Sequence, residues 1–444
     1  MKKFLKLLFL ILLLGVVYAV YLNYSRLDII TGFSAKNTAS VMFLADRSFE
    51  SVEAEDNNFP PINWADLEVD ESNQTSFASV VGIKKRTAIY REGLGAILIN
   101  DDYDKSASYL VPNRIFIETN LPYPYGNLPQ KDTIFSNIDY TKLNQSVKNS
   151  FDIDGVDSLK TRAILVIYKN QIIAEHYKEG FDKDDLHLGW SMTKSVMSTM
   201  YGVLEQQGKI DVQKPAPIAA WKDDERSKIT INNLLQMNSG LAWIEDYNSI
   251  SDVTKMLFLE SDMTKSQIDK QFAGKQNETW NYSSGTSNLL SGVLRTQFET
   301  HQEYLDFWYS DLIDRIGMNS MVVETDMAGN YVASSYAWAT VRDWAKFGLL
   351  YLHNGNWNGD QLVTKEWVDY VKTPTNGSDK KYGAQFWLNA GGELKDAPTT
   401  MYFADGFQGQ RVFIFPTKEL VVVRTGLTNI DYNELLKGVL ESIE

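Results

Sequence analysis

Two pairs of apolar runs, set far apart along 444 residues, limit the folds open to this chain. Ala163–Tyr168 (AILVIY) and Gln171–His176 (QIIAEH) are joined by Lys169-Asn170, a pair suited to a tight hairpin turn. Arg411–Phe415 (RVFIF) and Leu420–Arg424 (LVVVR) flank Pro416-Thr417-Lys418-Glu419 in the same way. After them Leu435, Leu436, Val439, Leu440 and Ile443 fall on one stripe of a helix. Between the hairpins the pattern is helical. Ile229–Met237 reads as a Thr-capped helix stopped by Asn238-Ser239-Gly240, and Asp343–Leu352 as an amphipathic helix. Hairpin, helical insert and hairpin predict an α+β fold, an antiparallel sheet flanked by helices.

The length exceeds one average domain. Lys2, Lys3 and Lys6 precede an apolar run from Leu7 to Leu22, the pattern of an export signal. The one small-x-small candidate, around Ala19, is flanked by Tyr18 and Val20, so an uncleaved membrane anchor is favoured over a cleaved signal peptide. The leading lysines place the N-terminus in the cytoplasm. The rest is then expected in the cell envelope, on the periplasmic side of the inner membrane, or secreted if the signal is removed. Three segments result: an anchor or signal over 1–25, a small β- or loop-rich module over 28–129, and a main domain over 134–444.

Lys and Arg total 43 against 57 Asp and Glu, a net charge of -14 that repels phosphate backbones and argues against a nucleic-acid partner. With 0 Cys there is no disulfide, thiol nucleophile or thiolate metal site. The histidines (His176, His187, His301, His353) have no zinc-peptidase spacing, and no metal or organic cofactor is implied. Gly189-Trp190-Ser191-Met192-Thr193 lacks the last glycine of a G-x-S-x-G elbow.

S-x-x-K occurs twice. Ser378-Asp379-Lys380-Lys381 lies among turn formers and reads as a solvated loop. Ser191-Met192-Thr193-Lys194 opens an apolar helix through Val196, Met197, Met200, Tyr201, Val203 and Leu204 that stops at Gly208. Positions i and i+3 share a helix face, so Lys194 reaches the Ser191 hydroxyl. The helix N-terminus favours developing negative charge there, and burial would lower the lysine pKa from about 10.4 towards the range of a proton acceptor. An ordinary N-cap serine is the plainer reading of Ser191.

Five motifs decide between them: SMTKS (Ser191–Ser195), ITINNLLQMNSGL (Ile229–Leu241), WNYSSGTSNLLSGVL (Trp280–Leu294), DWAKFGLLYLHNGNWNG (Asp343–Gly359) and ADGFQGQRVFIFP (Ala404–Pro416). In order and spacing the chain over Ile134–Glu444 resembles the β-lactamase-related serine hydrolase family. That family includes class C β-lactamases, D-alanyl-D-alanine carboxypeptidases, esterases and 6-aminohexanoate-dimer hydrolases, and the chain is most similar to the last group. The resemblance implies Ser191 as the acylated nucleophile, Lys194 as its proton partner and Tyr282 as a general acid/base. Ser284 stands where the family carries Asn. The Lys-Thr-Gly or His-x-Gly strand aligns with Asp405-Gly406-Phe407-Gln408-Gly409-Gln410, where the cation is missing.

A backbone N–H at Gly409 or Gln410 is the expected partner of the Ser191 N–H in an oxyanion hole. Phe407 cannot bind a substrate carboxylate, and Arg411 either compensates or is a sheet-end arginine. Trp190, Trp221, Trp243, Trp338 and Trp387 lie in or near the motifs and line an apolar cleft or the core. The expectation is a serine hydrolase acting through an acyl-enzyme on a small-molecule ester or linear amide. The rivals are a β-lactamase or D,D-peptidase working on cell-wall material, and a non-catalytic envelope binding protein.

Overall fold

The computed structural model describes residues 2–116, 119–153 and 158–444. Contacts group the chain into two compact units, the first made of Met1–Arg91, Ala96–Lys105 and Ile244–Ser261 and the second of Glu92–Gly95, Ser106–Trp243 and Asp262–Glu444. Residues 28–129 are thus divided between the two.

In the first unit a long helix, Lys2–Phe43, packs on strands Thr75–Val80 and Ile83–Arg91 of an antiparallel sheet that Asp66–Asp70 extends. Ala35 and Ala39 are fully buried at that contact, and their small side chains let the backbones approach until Ser76 Oγ donates to the Ala35 carbonyl at 2.5 Å. The expected membrane-spanning N-terminal helix is not supported. Among the described residues no helix is long and apolar enough to cross a membrane. The helix runs on past the apolar start into a buried half carrying Thr31, Ser34, Lys36 and Thr38, so its C-terminal part is a core element of this unit. Residue 1 and the side chains of 2, 16–17 and 19–23, parts of the expected anchor, lie outside the described residues.

The second unit has the expected α+β architecture. Its six-stranded sheet runs, in spatial order, Trp387–Leu388, Tyr402–Gly406, Gln410–Phe415, Leu420–Gly426, Thr161–Tyr168 and Gln171–Tyr177, every pair antiparallel. Ala163, Leu165 and Ile167 enter one apolar cluster with the helices Met192–Gln206, Ser284–Arg295 and Val341–Leu352. Ile164, Val166 and Tyr168 enter the other with Tyr140–Lys148 and Tyr432–Glu441. A strand covered on both faces needs an unbroken apolar run, which is why AILVIY does not alternate. Lys169 and Asn170 take positive φ (47° and 63°), as a two-residue hairpin turn requires.

Candidate active site

Ser191 stands at the start of the Met192–Gln206 helix but makes no side-chain cap hydrogen bond, so its hydroxyl is not spent on the helix end. The turn before it is fixed from both sides. Gly189 N–H donates to the Ala337 carbonyl at 2.8 Å, and the Gly189 carbonyl accepts from Met192 N–H at 3.1 Å. Thr193 Oγ1 donates to the Trp190 carbonyl and accepts from Ala337 N–H. Trp190 holds φ +47°, a conformation most side chains avoid, in the residue immediately before the nucleophile candidate. Gly189 has no room for a Cβ, because one would lie 2.2 Å from the Trp344 ring. Further along the helix, Ser195 and Ser198 hydroxyls donate to the Gln385 and Ala384 carbonyls, which ties it to the sheet side.

Lys194 is 1% exposed, and its ammonium meets three oxygens: Ser191 Oγ at 3.0 Å, Ser284 Oγ at 3.0 Å and the Ser334 carbonyl at 2.8 Å. Three acceptors match the three donors of a protonated lysine. A neutral amine fits the same place, with Ser191 O–H donating to its lone pair and the other two bonds kept. A proton can therefore pass between Ser191 and Lys194 without rearranging the rest of the site.

Tyr282 and Ser284 come from the segment leading into the Ser284–Arg295 helix, capped by Ser283 Oγ on Thr286 N–H. Asn281 pins that segment through its N–H to the Met237 carbonyl and its side chain to the Trp243 carbonyl. Gly285 makes room for the Trp243 ring, 2.4 Å from where a Cβ would be. The Tyr282 ring lies under Lys194, with Nζ 5.0 Å from its centroid, and packs against Trp387 and Tyr382 at 5.5 and 5.8 Å. The expected trio Ser191, Lys194 and Tyr282 is brought together, with Ser284 beside it.

Gly409 and Gln410 are not. A Cβ on Gly409 would meet Tyr432 Oη at 2.3 Å and Arg424 Nη1 at 2.6 Å, so this glycine makes room for a buried arginine rather than for substrate. The Gln410 side chain donates to the Phe407 and Gly426 carbonyls and accepts from the Gly426 N–H. The residue that abuts the nucleophile turn is Gly406, at the end of the Tyr402–Gly406 strand. A Cβ there would lie 2.1 Å from the Gly189 carbonyl. The next residue, Phe407, is 39% exposed and sets its ring edge-to-face on Trp190 at 5.5 Å. The sequence reading named Gly409 and Gln410 and not Gly406, which pairs with Gln410 across the turn.

Asp405, across the strand pair from Arg411, forms an ion pair with it. Burial pushes the Asp405 carboxyl up to about 6, against the opposing pull of Arg411 and Lys194. Arg411 also donates to the Gly406 carbonyl and lies over the Tyr432 ring at 4.7 Å.

The other candidates sit elsewhere. Ser378, expected in a solvated loop, is fully buried and donates to the Thr375 carbonyl. His176 packs edge-on against Phe151, His187 meets Thr425 Oγ1, His301 the Gly329 carbonyl and His353 Tyr125 Oη. Trp221 and Trp338 are buried with their indole N–H groups donating to the Ile268 carbonyl and Glu324. Trp190 and Trp387 line the site. The Ser334 carbonyl was not anticipated.

The chain is 23% identical to a 6-aminohexanoate-dimer hydrolase of Paenarthrobacter ureafaciens over 291 residues, 60% of this chain and 72% of that one. A Bacillus anthracis structure provisionally named a 6-aminohexanoate-dimer hydrolase superposes with a TM-score of 0.55 at 21% identity, covering 64% of this chain and 78% of that one. A D-stereospecific amidohydrolase from Streptomyces sp. superposes with a TM-score of 0.52 at 14% identity, covering 67% and 98%. At these identities the structural likenesses establish the fold. The sequence model of the Beta-lactamase family matches residues 156–438, well over half of the chain, and the chain belongs to that family, a hydrolase of its serine type.

Proposed function

We propose that this hydrolase cleaves esters or small linear amides through an acyl-enzyme on Ser191. The observation that carries this reading is the Lys194 ammonium held between Ser191 Oγ, Ser284 Oγ and the Ser334 carbonyl. Ser191 Oγ adds to the substrate carbonyl carbon while its proton moves to the Lys194–Tyr282 pair. That proton is then delivered to the leaving alcohol or amine as the C–O or C–N bond breaks. Water adds to the acyl-enzyme, and Ser191 recovers its proton. The backbone N–H groups of Ser191 and Phe407 are assigned to the oxyanion, in place of Gly409 and Gln410. Ala404 and Asp405 stand on the strand where a cation would serve a carboxylate-bearing substrate. This favours linear substrates of the aminohexanoate type and short acyl esters over β-lactams.

The test is labelling with a fluorophosphonate probe, with Ser191→Ala as control, followed by turnover of p-nitrophenyl esters, aminohexanoate dimer and nitrocefin. Absence of Ser191-dependent label sinks the acyl-enzyme reading; efficient nitrocefin turnover overturns the substrate assignment. We also propose that residues 134–444 are the catalytic module and that it works outside the cytoplasm, from the Lys2-Lys3-Lys6 start and the exposed apolar side chains of Phe4–Leu14. A C-terminal alkaline phosphatase fusion that stays inactive in cells would refute export.

A further inference from the structure

We infer that Asn288 is a positioning residue of the hydrolytic site: through the Ser334 backbone it holds one of the three oxygens that receive the Lys194 ammonium, and so sets the reactivity of Ser191 without touching substrate. The inference rests on the hydrolytic reading above and adds a residue to that same site.

The helix Ser284–Arg295 lies in the core, where Leu289, Leu290, Val293 and Leu294 join the main apolar cluster. Ser284, Asn288 and Ser291 nevertheless fall at i, i+4 and i+7, one stripe of that helix, and all three are fully buried. Buried polar groups are costly unless hydrogen-bonded, and the bonds this stripe makes converge on Lys194. Ser284 Oγ accepts from Lys194 Nζ directly, at 3.0 Å. Asn288 Oδ1 accepts from Ser334 N–H at 3.0 Å, and the carbonyl of that same residue accepts from Lys194 Nζ at 2.8 Å. Ser291 Oγ donates to the Tyr331 carbonyl at 2.8 Å, at the start of the turn that carries Ser334. The turn keeps its own shape, since Ser335 N–H and Tyr336 N–H both donate to the Val332 carbonyl. Those internal bonds leave open where the turn sits against the Ser284 helix, and Asn288 and Ser291 supply that placement. One helix therefore sets two of the three Lys194 acceptors, the first through Ser284 and the second through Asn288. A shift of the Ser334 carbonyl moves the ammonium, and with it the 3.0 Å contact between Lys194 and Ser191.

The test uses the full chain and reads fluorophosphonate labelling of Ser191 and turnover of p-nitrophenyl hexanoate, at a temperature where circular dichroism shows each variant folded. Asn288→Leu keeps the branched shape and loses the acceptor. Labelling and kcat should fall roughly 10- to 100-fold, the scale of a misplacement of up to about 1 Å, with KM within about twofold of wild type. Asn288→Asp keeps an acceptor oxygen at the same reach and should label within about threefold of wild type. Tyr201→Phe is the structural control: it deletes a buried hydrogen bond between the same two helices, from Tyr201 Oη to the Leu290 carbonyl at 2.7 Å, and should lower the urea midpoint while labelling near the wild-type rate. Should Asn288→Leu fail to fold, Ser291→Ala loosens the other end of the turn and should slow labelling by roughly three- to tenfold, the worth of one neutral hydrogen bond. Wild-type labelling in Asn288→Leu, or in Ser291→Ala where that variant stands in, overturns the inference. So does a loss in Asn288→Asp or Tyr201→Phe equal to that in Asn288→Leu, or a loss confined to KM. Absence of Ser191-dependent label in the wild type strikes the hydrolytic reading instead, and this inference with it.

Discussion

Gly406→Ala tests the proposed placement of the oxyanion strand more directly than any change to Ser191, Lys194 or Tyr282. The backbone at Gly406 is extended, at φ -138° and ψ 155°, so alanine is conformationally at home and only contact matters. The added methyl would lie 2.1 Å from the Gly189 carbonyl oxygen. Relief requires a separation of at least about 1 Å more, since carbon and oxygen attract only beyond roughly 3.2 Å. Neither side yields easily. The strand is held by its neighbour through Asp405 and Gly406 opposite Arg411 and Gln410. The turn is held by Gly189 N–H on Ala337 and by Met192 N–H on the Gly189 carbonyl itself. The displacement therefore falls on the residues between, Trp190 and Ser191. A misplacement of about 1 Å costs on the order of a hundredfold in rate, or ~2.7 kcal/mol. Overpacking should also lower stability by about 1–3 kcal/mol. The assay is the rate of fluorophosphonate labelling and of ester turnover, at a urea concentration and temperature where circular dichroism shows the variant folded. Gly348→Ala is the control. Its methyl would press on Val412 and Val421 in the core, 2.8 Å from each, and should cost stability while leaving the rate per folded molecule near wild type. A Gly406→Ala enzyme that labels within threefold of wild type would refute the placement of this strand against the nucleophile.

Tyr282→Phe should lower kcat by about 10²–10⁴, the range of a lost general acid/base, with little change in urea midpoint; an unchanged kcat removes Tyr282 from the mechanism. Ser284→Ala removes one of the three acceptors of the Lys194 ammonium and should slow labelling roughly 10- to 100-fold, the worth of a hydrogen bond to a charged group, whereas Ser284→Thr should restore it. Asp326, fully buried and pushed up to about 7 by burial, predicts a pH effect on stability. Its folded pKa lies above the unfolded value of 3.8, so between about pH 4 and 7 the folded chain keeps a proton that the unfolded chain has lost. Its contribution is greatest at low pH and falls as pH rises through that window, by about 1.4 kcal/mol per pH unit for one group. Urea unfolding of wild type and Asp326→Asn at pH 5 and 8 should show the difference shrinking with pH, and a constant difference would rule the effect out.

Much of the second unit was legible because its signals are local. AILVIY and LVVVR are inner strands with both faces covered, and continuous apolar runs report that directly. Ser191 and Lys194 are three residues apart on one helix, so the spacing carries the geometry. Tyr282 and Ser284 were found through the WNYSSG sequence, whose Gly285 is needed for Trp243 to pack. The apolar start of the chain misled for the same reason in reverse. A window of leucines says that a segment can leave water, but not where its helix ends, and here it continues into a buried half set by Ala35, Ala39 and Val41.

Which glycine of this strand abuts the nucleophile turn was not legible in the sequence, because that contact is not local. Gly406 and Gly409 both lie in DGFQGQ, and each is a glycine for close contact, but with different neighbours. Gly409 takes φ +85° and admits Arg424 and Tyr432, whose positions depend on Leu420–Gly426 and the C-terminal helix. Gly406 admits the Gly189 carbonyl, far earlier in the chain. Which glycine faces the nucleophile is fixed only when the strand is placed in the sheet, and the same placement puts Asp405 and Arg411 together on the face of Phe403 and Phe413, where Arg411 lies over Tyr432. Arg411 could therefore not be assigned as a substitute for the missing cation from sequence. In the folded chain it is the partner of Asp405, on the sheet face away from the Ser191 helix. It follows that Asp405→Lys should not create carboxylate recognition, since the lysine would face a like charge, Arg411, across the strand pair on the side of the sheet away from Ser191.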